Sequence, residues 1–347
     1  MNSNHAGNDR TIASGLRHNL WKYVLLAASL AATVKIIFFG FDIDEQYAVT
    51  MAYRMVQGDR MFLEMWEPHQ TSAFFSAAFL GLYFQIFHTL EYAVIFLRTV
   101  GVLTQLFISI FLFRSFCKFT SVETSFIVSI FYYNLIPKNS TVPDFSNMLL
   151  WFSTLTFLCF LEFYMAEQKS DRRRSVLFLI AAGISTSLLV LSYPTCIIVV
   201  IPCCLGLFIL SAAGKKLVNF LCYIGTCGIC ALCWLTYFLS HMSFADFFYG
   251  LSQMLADGSH DVTLFEKIKS YLALAVDVFP YFLIALALAV FLWGILKFIL
   301  RKTCSLFFLL TITLCIEQIY IWATLQKHPA YPGILFLFFP CTGFMVI

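Results

Sequence analysis

Three carboxylates, Asp42, Asp44 and Glu45, stand together where the first long apolar stretch of the chain ends. The polar stretch they open continues through Arg54, Arg60 and Glu64 to Glu67-Pro68-His69, in a chain that is otherwise mostly apolar. Ionised groups at a membrane boundary are costly to keep unless they bind or react with something. A carboxylate placed there can take the proton of an attacking hydroxyl. Cations beside it can stabilise the charge on a leaving group. Asp44 is the first candidate base, with Glu45 as its alternate. Asp144 joins them because it stands nearly alone between two apolar runs. Arg54, Arg60, Lys138 and Lys35 are candidate anion-binding cations. Lys35 lies seven residues before Asp42, so on a helix it faces a similar direction.

Each of these residues also has a plainer reading. Asp42 and Asp144 can cap the helices that follow them. Asp44 and Glu45 fall in a first helical turn, where the dipole favours negative charge. Lys35 can snorkel to the interface. His69 with Glu67 or Glu64 supplies nitrogen and oxygen ligands suited to a divalent metal, with His241 or His260 as a more distant ligand. Its plainer role is an interfacial hydrogen bond, and Pro68 restricts the geometry. The metal is therefore left open, and no other cofactor is indicated.

The elements that position these residues follow from composition. The chain is 61% hydrophobic and 12% charged. Soluble domains are about 45–50% apolar and about 25% charged, so this is a polytopic membrane protein. Mean hydropathy is +0.84. The apolar runs are long and continuous, which predicts helices and excludes the short alternating segments of a β-barrel. A net charge of +3 is too small to point to nucleic acid. There is no Gly-rich phosphate loop. Most of the 12 cysteines sit inside apolar runs, where free thiols pack as small apolar groups. Cys227, Cys230 and Cys233 have a regular spacing but no polar surroundings suited to a metal.

Candidate membrane runs are 21–41, 72–87, 92–113, 124–136, 148–165, 176–191, 195–213, 217–239, 271–298, 305–325 and 332–347. If 72–87 crosses with the others, the basic clusters fall on both sides. If it lies in the interface instead, all of them fall on the cytoplasmic side: Arg10/Arg17/Lys22, Arg114/Lys118, Lys169/Arg172–Arg174, Lys215/Lys216 and Lys297/Arg301/Lys302. The second arrangement predicts about ten crossings. Residues 1–20 are then a cytoplasmic N-terminus and 42–91 an outer loop. Residues 240–269 form a second outer loop able to act as a flap, and 270–347 form C-terminal membrane helices. The first outer loop opens with an amphipathic helix. Asp42 and Glu45 form a capping-box-like start, and Gln46, Thr50, Arg54 and Gln57 share a polar face. Tyr47, Met51 and Met55 form an apolar side, and Gly58 is a stop signal.

Asp44-Glu45-Gln46-Tyr47, Ala52-Tyr53, Gly58-Asp59 and Trp66-Glu67-Pro68-His69-Gln70 together resemble the first outer loop of GT-C superfamily glycosyltransferases. The most similar group is the family 39-like bacterial relatives of protein O-mannosyltransferases and aminoarabinose transferases. Arg98, at the start of a membrane helix, and Asp144, in the second outer loop, extend the resemblance over roughly 21–239. Two departures stand out. The family often has two adjacent prolines where this chain has Pro68-His69. Many members also continue past residue 347, so the C-terminus reads as that of a short member or a truncated one.

The resemblance implies an all-α GT-C-like fold with two surface helices in the first outer loop. It also implies a polyprenyl-phosphate sugar donor, a glycan, lipid or protein acceptor, and a site on the extracytoplasmic face of a bacterial plasma membrane. Two rival functions remain. A transporter or flippase of lipid-linked sugars would use Glu317, which lies inside the run 305–325. A non-catalytic membrane scaffold would leave Asp44 and Asp144 satisfied locally as caps.

Overall fold

A computed structural model describes residues 5–40, 42–65, 67, 69–137, 140–255, 265–266, 269, 283–284 and 286–301. The described residues are helical, with no strand among them beyond a lone bridge between Met61 and Met65. Helices α1 (His5–Phe39), α2 (Ile43–Gln57), α3 (Ala73–Phe87), α4 (Ala93–Phe116) and α5 (Val122–Tyr133) come first. They are followed by α6 (Phe145–Gln168), α7 (Arg172–Ser192), α8 (Val200–Leu210), α9 (Lys216–Leu239) and α10 (Phe244–Leu255). Short 3-10 turns, Gln70–Ser72 and Pro194–Val199, precede α3 and α8.

Five helical stretches are long and apolar enough to cross a bilayer: Asn19–Phe39, Ala93–Phe116, Phe145–Gln168, Arg172–Ser192 and Lys216–Leu239. Val122–Tyr133, Cys196–Leu210 and Leu286–Ile299 are apolar but shorter. The chain is thus an all-α membrane protein. The expected run at 271–298 is described only in part, and those at 305–325 and 332–347 lie outside the described residues, as does Glu317. At the N-terminus, helix α1 extends back through most of the polar segment expected to precede it.

Helix α2 begins and ends as its sequence predicts. The Asp42 carboxylate accepts from the Asp44 N–H at 2.9 Å, and Gly58 adopts a left-handed φ of 107° while its N–H bonds back to Arg54 and Met55. Only half of the expected capping box forms. Glu45 turns inward to a buried guanidinium, which offers two charge-assisted hydrogen bonds in place of one backbone N–H.

Two sets of contacts define the ends of the bundle. The last carbonyls of α1 meet Arg98, at the start of α4. Lys22, near the start of the apolar part of α1, pairs with Glu123 at the start of α5. Helices α1 and α4 therefore meet end to start, so α2 and α3 together leave and return to the same end of the bundle. Helix α3 packs on α2 through Ala77 and Leu80, against Ala48 and Ala52. Lys118–Glu162 and Arg172–Asn219 gather with Lys22–Glu123 at the opposite end. The main core joins α4, α5, α6 and α7 around Ile108, Leu112, Tyr132, Trp151 and Leu189.

Candidate functional site

The end of the bundle where α1 finishes collects most of the residues singled out above. Arg98 anchors it. Its Nε and Nη2 donate to the two oxygens of Glu45, each at 2.6 Å, while Nη1 and Nη2 reach the carbonyls of Ile37 and Gly40. The last carbonyls of a helix lack intrahelical donors, so one side chain both closes α1 and fixes the first turn of α2. Glu45 is 5% exposed and wholly committed to this pair.

Asp44 lies one residue earlier and is half-buried. Helical spacing places it with Tyr47, Ala48 and Met51. Met51 and Tyr47 pack on Met65 and Ala73. The face carrying Asp44 is thus turned toward the 65–73 segment, which contains Glu67, His69 and Gln70.

That segment is organised by Arg54. Its guanidinium donates to Asp59 at 2.7 Å, to Glu67 at 3.0 Å and to the carbonyl of Glu64 at 2.6 Å. The hydrogen bond to Asp59, with the charges of Glu67 and Glu64, holds Arg54 above the ordinary arginine value despite partial burial. Arg60 pairs with Glu64 at 2.8 Å on the exposed side of the loop. Its hydrogen bonds push the Glu64 carboxyl below its usual range. Arg54 and Arg60, expected as phosphate ligands, are therefore also the ties that shape the loop.

The loop before α6 is built just as firmly. Asp144 is 4% exposed and caps α6, accepting from the Asn147 N–H at 2.7 Å. The Asn147 amide in turn donates to the carbonyls of Ser140 and Val142 at 3.0 and 2.8 Å. Thr141 donates to the carbonyl of Arg98 at 3.1 Å, and Ser76 on α3 donates to the carbonyl of Pro143. Gly101 lets this loop approach α4: a Cβ there would sit 1.6 Å from the Thr141 carbonyl oxygen. Ser140 and Thr141 are buried.

The two loops meet at His69. Its ring stacks on Phe145, the residue after Asp144, with centroids 4.1 Å apart and planes 17° from parallel. Tyr193, at the end of α7, lies 5.1 Å from the same ring. Phe145 and Tyr193 were not anticipated, although each is an aromatic residue beside a helix end. Gln70 stood above only as the last residue of a motif, with no role given to it. It is fully buried, and its Oε1 accepts from the Phe62 N–H at 2.9 Å.

The structure thus brings Glu67, His69, Gln70, Asp144, Phe145 and Tyr193 into one neighbourhood, with the face of α2 bearing Asp44 turned toward it. Lys35 is exposed on α1. Lys138 and His260 lie outside the described residues. His241 sits at the exposed end of α9 beside Ser240 and Tyr237. No group of three or more His, Cys, Asp or Glu among the described residues could hold a metal ion. Cys227 packs between α7 and α9, with its thiol against the Gly183 carbonyl. As chemistry, the site offers a half-buried carboxylate, a buried capping carboxylate, a guanidinium tied to Glu67 and a partly exposed aromatic patch. No family model, characterised protein or solved structure matches the chain.

Proposed function

We propose that this protein is a GT-C-type glycosyltransferase that moves a sugar from a polyprenyl-phosphate donor to an acceptor hydroxyl on the extracytoplasmic face of a bacterial plasma membrane. The observation that carries the reading is the junction of the two loops at His69 and Phe145. It places the Asp144 loop against the 65–73 segment, toward which the face of α2 bearing Asp44 is also turned. The sidedness rests on Lys22, Lys118 and Arg172, which lie at the opposite end of the bundle, as positive charge on the cytoplasmic side requires.

In this mechanism the acceptor oxygen attacks the anomeric carbon and loses its proton to the Asp44 carboxylate. The bond between that carbon and the phosphate oxygen breaks, and polyprenyl phosphate leaves. Glu45 is committed to Arg98, so the base role falls to Asp44. Asp144 holds the second loop in place and lines the site. Arg54 spends three N–H groups on the loop and has two more that a phosphate oxygen could accept from. Arg60, Lys138 and Lys35 are further cations for the phosphate. If a divalent metal takes part, Glu67 and His69 are the residues to supply ligands, with others coming from the substrate.

The test is transfer from labelled polyprenyl-phosphate sugars by the full chain in lipid, wild type beside Asp44→Asn. Loss of a general base lowers turnover by roughly 10²–10⁴-fold, and the variant should keep its melting temperature. Equal turnover in both would remove Asp44 from the mechanism. Failure of the wild type with every donor would overturn the transferase reading.

A further inference from the structure

Helix α1 turns two polar side chains into the bundle. Ser29 and Thr33 are buried within its apolar stretch Asn19–Phe39. Asn134, at the end of α5, donates to Ser29 Oγ at 2.8 Å and so seats α1 against α5. Thr33 lies six residues before Phe39, about 9 Å along the helix from the end of that stretch. Beside it is a cavity between α1, α4, α5 and the start of α6. Thr33, Gln105, Tyr133, Thr141 and Asn147 supply its polar walls, and Trp151 lines it as well. Thr141 and Asn147 flank Asp144 in sequence, so the cavity adjoins the loop that carries this carboxylate.

Donors and acceptors on these walls do not balance within the protein. The Gln105 amide donates to the carbonyls of Tyr132 and Leu135, and its oxygen accepts from Trp151 Nε1. The Asn147 amide donates to the carbonyls of Ser140 and Val142, which leaves Oδ1 as an acceptor. The hydroxyls of Thr33 and Thr141 donate to the carbonyls of Ser29 and Arg98, and their oxygens keep lone pairs. Tyr133 is the exception. It is 4% exposed, and among the described residues its hydroxyl makes no hydrogen bond. A buried hydroxyl without a partner is costly. Native proteins satisfy nearly all such groups, with ordered water where no protein atom reaches.

We propose that this cavity is an internal hydration site. Its water accepts from the Tyr133 hydroxyl and donates to Asn147 Oδ1 and Thr33 Oγ1. A buried water typically makes about three such bonds, and one donor facing two acceptors is the set it needs. The space is water-sized, which admits about one molecule and no sugar or lipid group. Within a bilayer, ordered water of this kind satisfies polar groups that the chain itself cannot pair. The water joins α1 and α5 to Asn147, whose backbone N–H is the group that Asp144 caps. It thereby ties the loop before α6 to the helices beside it. The proposal does not depend on the transferase reading.

The experiment is radiolytic footprinting of the full chain in lipid nanodiscs, read by mass spectrometry after microsecond X-ray pulses. Radicals formed from a bound water oxidise the side chains beside it even where they are buried. Tyr133 and Trp151 should be oxidised several-fold more than Tyr132 and Tyr223, which are equally buried but do not line the cavity. After mixing with oxygen-18 water, the heavy label should reach Tyr133 later than the exposed Tyr53. Thr33→Val, which removes one partner of the water, should lower oxidation of Tyr133 several-fold, and Thr33→Ser should restore it. If Thr33→Val does not fold, Tyr133→Phe gives the same reading through a fall in oxidation of Trp151. Three results would overturn the proposal. Oxidation of Tyr133 no greater than that of Tyr132 would mean that no water is held there. Heavy label reaching Tyr133 as fast as Tyr53 would make the cavity part of bulk solvent. Equal oxidation of Tyr133 in Thr33→Val and wild type would remove Thr33 from the site and with it the link to α1.

Discussion

Arg98 and Glu45 share two parallel hydrogen bonds, each 2.6 Å long, across 53 residues of sequence. The same guanidinium closes the end of α1, so three elements converge on one side chain. Removing one partner of a buried pair leaves an uncompensated charge, which costs about 3–5 kcal/mol. Arg98→Ala should therefore lower the melting temperature in detergent sharply, and Arg98→Lys should rescue it only in part. A lysine lacks the planar fork that serves a carboxylate and two carbonyls at once. A melting temperature unchanged in Arg98→Ala would mean that this anchor contributes little.

Asp44 and Glu45 are adjacent but should respond differently to the same change. Asp44→Asn is expected to keep the melting temperature and lose transfer. Glu45→Gln is expected to lose stability first, because it weakens the bond to Arg98. Parallel thermal and transfer assays on the two variants separate a base from an anchor. The reverse pattern would exchange their roles.

Asp144 caps α6 and is the second carboxylate of the proposed site, and two variants divide those jobs. Asp144→Ala removes the cap and should cost about 1 kcal/mol. Asp144→Asn keeps a capping oxygen, so its stability should stay near wild type. Any loss of transfer in Asp144→Asn then reports on the charge of the carboxylate.

Gly101 is a steric prediction. The carbonyl of Thr141 occupies the place of its side chain, with a Cβ only 1.6 Å away. Gly101→Ala must push the loop before α6 off α4, and overpacking of this kind costs about 1–3 kcal/mol. Limited proteolysis should cut the 134–144 connection faster in this variant. Gly206→Ala, where nothing lies within 4 Å, is the matched control.

The Arg60–Glu64 pair predicts a pH dependence of defined sign. Hydrogen bonds from Arg60 hold the Glu64 carboxyl below its ordinary value. Its contribution to stability is present above the ordinary carboxylate range and is lost as pH falls through the depressed value. The difference in melting temperature between wild type and Glu64→Gln should be constant down to the ordinary carboxylate value and shrink below it. The effect will be small, since both side chains are solvated.

Several elements were legible because their signals are local. Asp42 and Gly58 mark the ends of α2, and Asp144 marks the start of α6; a cap needs only its own turn. Helix α3 was legible as an apolar run, and its packing on α2 through Ala77 and Leu80 required the fold. The roles of Arg54 and Arg60 were less legible. A guanidinium suited to a phosphate is equally suited to the carboxylates and carbonyl of its own loop, and nothing in the spacing says which it takes.

The sequence by itself determined an all-α membrane protein with an amphipathic helix after its first crossing. Apolar run length, helical periodicity and capping residues act over a few turns and need no distant partner. Tertiary structure decided which of two adjacent carboxylates is locked to Arg98. It also set His69 against Phe145 and Tyr193. Each of these depends on segments far apart in the chain arriving at the same end of the bundle, and only the packing of whole helices fixes where those ends meet.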